Sequence, residues 1–400
     1  MNAARTFILV TVVIDAMGIG LILPVMPALL REIGGISLTD AAIWGSVLAT
    51  AFAVMQFLFG PLIGALSDRY GRRPVLLIAL FVMALDYLVM ALAQVFWLLL
   101  LGRIVGGITA STQPVAAAAI TDNSPASEKA ARFGLIGASF GLGFVLGPVL
   151  GGFLADLGTR APFYAAAVLV SANCILGYFV MPETIADENR RPLSLKRCNP
   201  LGAFQNVGLN RTMRQLLLVY FLVQVGFYVY PATWPYYTIA QFGWNERTIG
   251  ISLAVFGISM AFVQARLIRL FLDRLGESGT VKYGIVFNVL AFLVLAFITN
   301  GAFAMAFLPF TALGVIVTPA LQGIMSRATA EDSQGELQGV LSSTNALASI
   351  VALSIMPQVF AMFARADAPI YLPGAAFLLA MVLMLVCFVV FRRSSSGIRV

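Results

Sequence analysis

Long apolar runs broken by short polar stretches dominate this chain. They recur near 6–30, 44–66, 75–95, 97–120, 133–155 and 162–182, and after a polar stretch resume near 214–237, 247–267, 281–299, 303–325, 337–363 and 370–391. A helix needs ~20 apolar residues to cross a hydrocarbon layer ~30 Å thick, so each run predicts one span. The pattern therefore predicts an all-α membrane protein with twelve transmembrane helices.

Composition agrees. Of 400 residues, 60% are hydrophobic and 11% charged, against about 25% charged in soluble domains. Mean hydropathy is +0.93. The net charge of +7 is scattered among short loops, which argues against a nucleic-acid surface and for the basic-loop bias that sets topology. With even numbering of spans, Arg31, Arg160, Arg247 and Arg365 fall on one face. Arg103 falls inside a span, and every other basic residue falls on the opposite face. That face is read as cytoplasmic, with both termini on it. In MNAARTFILVTVVIDAMGIG an acid interrupts the apolar run and no small-residue cleavage site follows, so it reads as a retained first helix.

Other classes fall away. Cys174, Cys198 and Cys387 are far apart, with neither disulfide nor metal-ligand spacing. The chain has no histidine, which excludes Ser-His-Asp and Cys-His catalysis. No enzyme activity, metal or cofactor is expected.

The polar stretch 183–213 halves the chain, and the halves echo one another at an offset of 205. Asp68-Arg69-x-Gly71 recurs as Asp273-Arg274-x-Gly276, Gln113-Pro114 is answered by Thr318-Pro319, and Gly134 by Gly339. Glu277 and Ser278 stand where Arg72 and Arg73 would be repeated. The expected organisation is a six-helix bundle over 1–182, a cytoplasmic linker over 183–213 and a second, parallel bundle over 214–400.

Three charged residues lie well inside the spans: Asp15, Asp86 and Arg103. An acid in lipid costs at least ~2.5–3.5 kcal/mol, so it needs a role or a partner. Either Asp15 faces a wet cavity and titrates opposite Arg103, or the charges form a structural ion pair between helices. The second half offers uncharged Gln224, Gln264, Asn288, Gln322 and Asn345, with Phe227, Tyr228, Tyr230 and Trp234 around span 7. These suit a cavity for an amphiphilic substrate, or interhelical hydrogen bonds. Tyr236 and Tyr237 are assigned to an interfacial aromatic belt.

GALSDRYGRRP, residues 64–74, compresses Asp68, Arg69, Arg72 and Arg73 into a short hairpin between spans 2 and 3. Its G-x-L-x-D-R-x-G-R-R pattern resembles the main motif of the major facilitator superfamily. GRIVGGITAST in span 4 resembles that family's basic span-4 motif. Span 5, GASFGLGFVLGPVLGGF, ends in a G-P-x-x-G-G resembling its drug/proton antiporters. More narrowly, DAMGIGLILPVMPALLREI, LDYLVMA, FGWNERTIGISLA and FVQA together resemble the tetracycline/proton antiporter family along nearly the whole chain.

The resemblance places that family's proton-linked residues on Asp15, Asp86 and Arg103, its glutamines on Gln56 and Gln264, and its cytoplasmic gating acids on Asp68 and Asp122. Two positions depart from it. The family's span-9 acid falls on Asn288, which cannot release a proton, and its span-8 histidine on Met260, a weak ligand at best. Coupling would then rest on Asp15, with Asp86. Gating is expected of Asp68, Arg69, Arg72, Arg73, Asp122 and Arg132, with Asp68 facing the start of span 11 and Arg72 and Arg132 able to pair with Asp122 or Glu128.

The expectation is a monomeric, proton-coupled exporter of amphiphilic drugs, tetracycline-like compounds foremost. Its substrate would touch Gln56, Gln113, Phe227, Gln264, Asn288 and Asn345, and its partners would be protons and lipid. The alternatives are export of another small molecule (sugar, metabolite, siderophore or lipid) and a membrane sensor without transport.

Overall fold

The computed structural model describes the chain apart from residues 1, 111, 123–128, 186–187, 189, 191–192, 194–197, 201, 203–210, 331–332 and 396–400. The side chains at 2, 3, 113, 121, 129–131, 133, 394 and 395 also lie outside that description. Most of the expected linker, and Glu128, fall outside it. Among the described residues there are helices and no strand.

The first helices are α1 (Asn2–Ile22), α2 (Met26–Gly34), α3 (Leu38–Tyr70), α4 (Arg72–Leu92), α5 (Phe96–Thr109), α6 (Thr112–Asp122), α7 (Lys129–Ala155) and α8 (Ala161–Val180). Then come α9 (Arg211–Phe227), α10 (Val229–Phe242) and α11 (Glu246–Phe262). A π-helical turn, Val263–Leu267, leads into α12 (Ile268–Phe297). After α13 (Gly301–Thr311) a 3₁₀ segment, Ala312–Ile316, precedes α14 (Val317–Arg327), and α15 (Gln334–Ala364) and α16 (Ala375–Ser395) finish the chain.

Ten helical stretches of the described residues are long and apolar enough to cross a membrane. One of them, Glu246–Phe297, runs for 52 residues, about 78 Å at 1.5 Å per residue and far more than one crossing needs. Gly276 divides it, with φ +63° and ψ 178°, a conformation open to glycine and costly for other residues. Expected span 4 is instead cut in two at Ala110, so neither piece reaches spanning length by itself.

The helices gather into two compact units. One comprises Met1–Ile36, Val47–Gly202 and Asn245–Ala254, the other Ser37–Ser46, Ala203–Trp244 and Val255–Val400. The first turns of α3 thus group with the second unit and the first half of α11 with the first.

In the first unit α1 lies against α7 through a row of small residues. A Cβ on Gly143, Gly147 or Gly151 would strike the carbonyl oxygen of Val13, Met17 or Leu21 in turn. Glycine every fourth residue lets the two backbones touch, the packing expected where lipid removes the hydrophobic drive between helices. Thr11 and Asn173 bond across α1 and α8 at 3.0 Å, both buried.

The second unit is built on aromatic rings. Tyr230, Trp234, Tyr237, Phe292 and Phe377 are all buried, with neighbouring centroids 4.9–6.3 Å apart. Tyr237 belongs to this core, and Tyr236 is buried beside Phe360, 6.4 Å between centroids, so neither lies in a lipid-facing belt. The Tyr237 hydroxyl donates to the Leu295 carbonyl at 2.6 Å. That partner removes the need for the phenol to reach an interface.

Candidate functional site

Asp15 sits two-thirds of the way along α1 and is half-buried. Its carboxylate accepts a hydrogen bond from the side chain of Thr112, the first residue of α6. Tyr87 of α4 places its hydroxyl against Gly18, less than one turn further along α1. Neither partner carries a charge.

Arg103 is committed elsewhere. It forms an ion pair with Asp86, which is 5% exposed, and its guanidinium lies 5.2 Å from the centroid of Phe52. The Asp86 carboxylate lies so close to α5 that a Cβ on Gly102 or Gly106 would come within 2.7 and 2.9 Å of it. Gly107 does the same against the main chain of Phe52. The glycines of GRIVGG thus seat α5 on α3 and α4, with the buried charge in between. The pair leaves Asp86 Oδ1 and Arg103 Nε without a hydrogen-bond partner among the described residues. Of the two readings open for these charges, the structure pairs Arg103 with Asp86 and gives Asp15 a neutral neighbour.

The cut in span 4 has a local cause. An unbroken helix would bond the Ala110 carbonyl to the N–H of residue 114, but Pro114 has none. Gln56, exposed on α3, supplies the missing donor, its Nε2 lying 3.3 Å from Ala110 O. Irregular backbone at membrane depth is tolerated where it is buried or lines a water-filled cavity. Gln113 lies on α6, and its side chain is outside the described residues.

The substrate candidates of the second unit separate into two sets. Asn345 is half-buried, and its Oδ1 accepts from the Nε2 of Gln224. Gln264 is exposed and sits on the π-helical turn, a feature frequent at functional sites. By contrast, Asn288 is 2% exposed and donates to the Gly314 carbonyl at 3.2 Å, inside the 3₁₀ break of the tenth expected span. Phe227 joins the aromatic core, 5.6 Å from Tyr230 and 6.2 Å from Phe256.

The motif loop is organised on Arg72. It is 8% exposed and pairs with Asp68 one turn earlier, with Asp122 at 3.1 Å, and with Ser67 Oγ at 2.6 Å. Arg69 is exposed over the ring of Tyr70, while Arg73 donates to the Tyr178 carbonyl at 2.6 Å. Arg132 is half-buried near the start of α7.

Glu183 was not singled out by its sequence context. Its carboxylate accepts from the backbone N–H groups of Arg72 at 2.8 Å and Arg73 at 3.3 Å, closing the N-terminus of α4. The signal was the glycine. Gly71 is the N-cap, with φ +108°, and has no side chain to cap with, so the exposed donors need an acceptor from elsewhere. Thr112 and Tyr87 were likewise invisible as partners, because each acts across a helix interface.

Comparison with known proteins fits this geometry. The family model described as Major Facilitator Superfamily matches residues 8–353 and again 216–397. The chain is 41% identical over 394 residues to the class C tetracycline resistance protein of Escherichia coli, covering 98% of each chain. It is 37% identical to the class B protein of Escherichia coli, over 97% of this chain and 96% of that one. Among solved structures, the human organic anion transporter MFSD10 (TETRAN) superposes with a TM-score of 0.71 at 25% identity, covering 98% of this chain and 99% of that one. A bacterial homologue of the human lysosomal transporter Spinster reaches 0.79 at 16% identity, over 99% and 97% respectively, and shows the same fold. With a buried Arg72 node behind its motif loop, a broken fourth span beside Asp15 and this near full-length likeness, the chain belongs to the Major Facilitator Superfamily, alongside the tetracycline resistance proteins.

Proposed function

We propose that this protein is a proton-coupled antiporter that exports tetracycline-like amphiphiles across the bacterial inner membrane by alternating access. The observation that carries the reading is Asp15, an acid within a span whose bonded neighbour is the neutral Thr112. The names of the relatives supply the substrate class.

The ten spanning stretches become twelve when Glu246–Phe297 is divided at Gly276 and α5 with α6 counts as one broken span. Twelve spans in two six-helix bundles, over 1–182 and 214–400 about the linker 183–213, put both termini in the cytoplasm. One proton entering down ~100 mV releases ~2.3 kcal/mol, which requires at least one titrating carrier. Asp15 serves as that carrier. The Asp86–Arg103 pair ties α4 to α5, and Asn288 contributes no proton. Each unit offers substrate contacts of its own, Gln56 in the first and Phe227, Gln264 and Asn345 in the second. The Arg72 node, with Asp68 and Asp122, closes the cytoplasmic side, and the remaining arginines of the motif loop and Arg132 flank it. The transporter works as a monomer.

Tetracycline-evoked proton release from everted vesicles tests the reading. Release by the parent and its loss in Asp15→Asn are expected. Undiminished release in Asp15→Asn would refute the coupling role.

A further inference from the structure

The second unit carries a polar ladder that the coupling residues do not use. Tyr220, Gln224 and Tyr228 follow one another at four-residue steps along α9 and its junction with α10. Thr318 and Gln322 keep the same step on α14, as do Asn345 and Ser349 on α15. Four-residue spacing puts each set on one face of its helix.

The three faces meet. Thr318 donates to Gln224 Oε1 at 3.2 Å, Gln224 to Asn345 Oδ1, and Asn345 to the Tyr228 hydroxyl at 3.4 Å. Gln322 reaches the Tyr220 hydroxyl at 3.5 Å, and Ser349 bonds to Tyr228. Every group in the ladder is uncharged. Tyr220 stands 205 residues beyond Asp15, so the repeat position that carries an acid in the first unit carries a phenol here.

Interhelical glue has a different signature in this same protein. The Thr11–Asn173 pair is 0% and 3% exposed, a closed bond between two helices. Gln224, Asn345, Thr318 and Tyr228 are instead half-buried. A primary amide has two N–H donors and an oxygen with two acceptor positions. Within the ladder Gln224 and Asn345 each use one donor and one acceptor position, leaving one of each. Spare donors facing hydrocarbon cost several kcal/mol apiece, so this half-open face looks onto a watery path.

We infer that this ladder is the specificity surface of the second unit, reading an uncharged, oxygen-rich edge of the substrate. Keto and amide oxygens take the spare N–H groups, and hydroxyls donate to the spare oxygens. A cationic amine finds no counter-charge there. The eight-residue rise from Tyr220 to Tyr228 is about 12 Å long, enough for several fused rings to lie along it. The inference rests on the proposed export function and names the part of the substrate that the second unit holds.

Tetracycline uptake into everted vesicles is measured for the parent and for Gln224→Leu, Asn345→Leu and the near-isosteric Thr318→Val, with thermal unfolding of each variant. Inhibition by dedimethylaminotetracycline, which keeps the oxygens and lacks the amine, is measured alongside. Each leucine variant is expected to raise the tetracycline KM about fivefold or more, with Vmax kept within about twofold, as loss of one or two hydrogen bonds implies. The inhibition constant should rise by the same factor. Folded variants that keep the parent KM would overturn the inference, as would a KM rise for tetracycline without one for the amine-free analogue. Should both leucine variants unfold, Thr318→Val decides: an unchanged KM overturns the ladder. A parent that transports no tetracycline overturns the proposed function itself, and this inference with it.

Discussion

Glu277 and Arg327 form an ion pair at positions 205 residues beyond Arg72 and Asp122, with the two charges exchanged. The second copy of the motif loop has therefore kept the pairing while reversing its polarity. Glu277 Oε1 lies within 2.6 Å of a Cβ built on Gly323, so the acid is tightly seated whereas Arg327 is exposed. Exposed pairs contribute about 0–1 kcal/mol. Glu277→Arg and Arg327→Glu should each lower transport, and the double variant should recover most of the loss. A double variant no better than the worse single one would show that the two residues act separately.

Asp15 and Thr112 are joined by a hydrogen bond and are expected to act as one site. Asp15→Asn is expected to cut tetracycline uptake into everted vesicles at least about tenfold, equivalent to about 1.4 kcal/mol in barrier. Thr112→Val removes only the hydrogen bond and should give a smaller loss. Equal activity of Thr112→Val and the parent would separate the threonine from the carrier.

Gly71 is expected to tolerate no side chain. Its φ of +108° strains any other residue, and an added Cβ would meet the Glu183 carboxylate. Gly71→Ala should cost about 1–3 kcal/mol, read as a fall in thermal midpoint. Glu183→Gln retains an acceptor for the Arg72 and Arg73 N–H groups and should cost less than Gly71→Ala. The opposite order would remove Glu183 from its capping role.

Gln56→Leu deprives the Ala110 carbonyl of its donor. Because Gln56 is exposed, the expected loss is about 1 kcal/mol. Adding Pro114→Ala restores a backbone N–H one turn on, and the double variant should regain stability while exchanging its residue-114 amide slowly. Fast exchange there would mean that the break does not arise from the proline.

Ten apolar stretches were legible because lipid imposes one rule on every crossing segment, whereas the break at Ala110 and the joined Glu246–Phe297 stretch follow from local backbone geometry. Asp15 and the Arg72 loop were legible for the converse reason: a charge in an apolar run, or four charges in a short hairpin, stands out. Pairings were harder to see. Arg103 bonds to Asp86 through a glycine gap that only the approach of α5 to α4 reveals. Glu183 caps α4 from 111 residues away. Tyr236 and Tyr237 read as a belt, since aromatic residues near a span end suit both an interface and a core. Their burial decides between them, Tyr237 with its hydroxyl on the Leu295 carbonyl and Tyr236 beside Phe360.

The glycine row of α7 fixes how Asp15, the proposed carrier, can travel. Val13, Met17 and Leu21 each rest a carbonyl on one of those glycines, and Asp15 lies between the first two rungs. Sliding or spinning α1 alone would break all three seats together, since the intervening space admits not even a methyl group. Asp15 is mounted on a two-helix girder, so any displacement of its helix carries α7 with it.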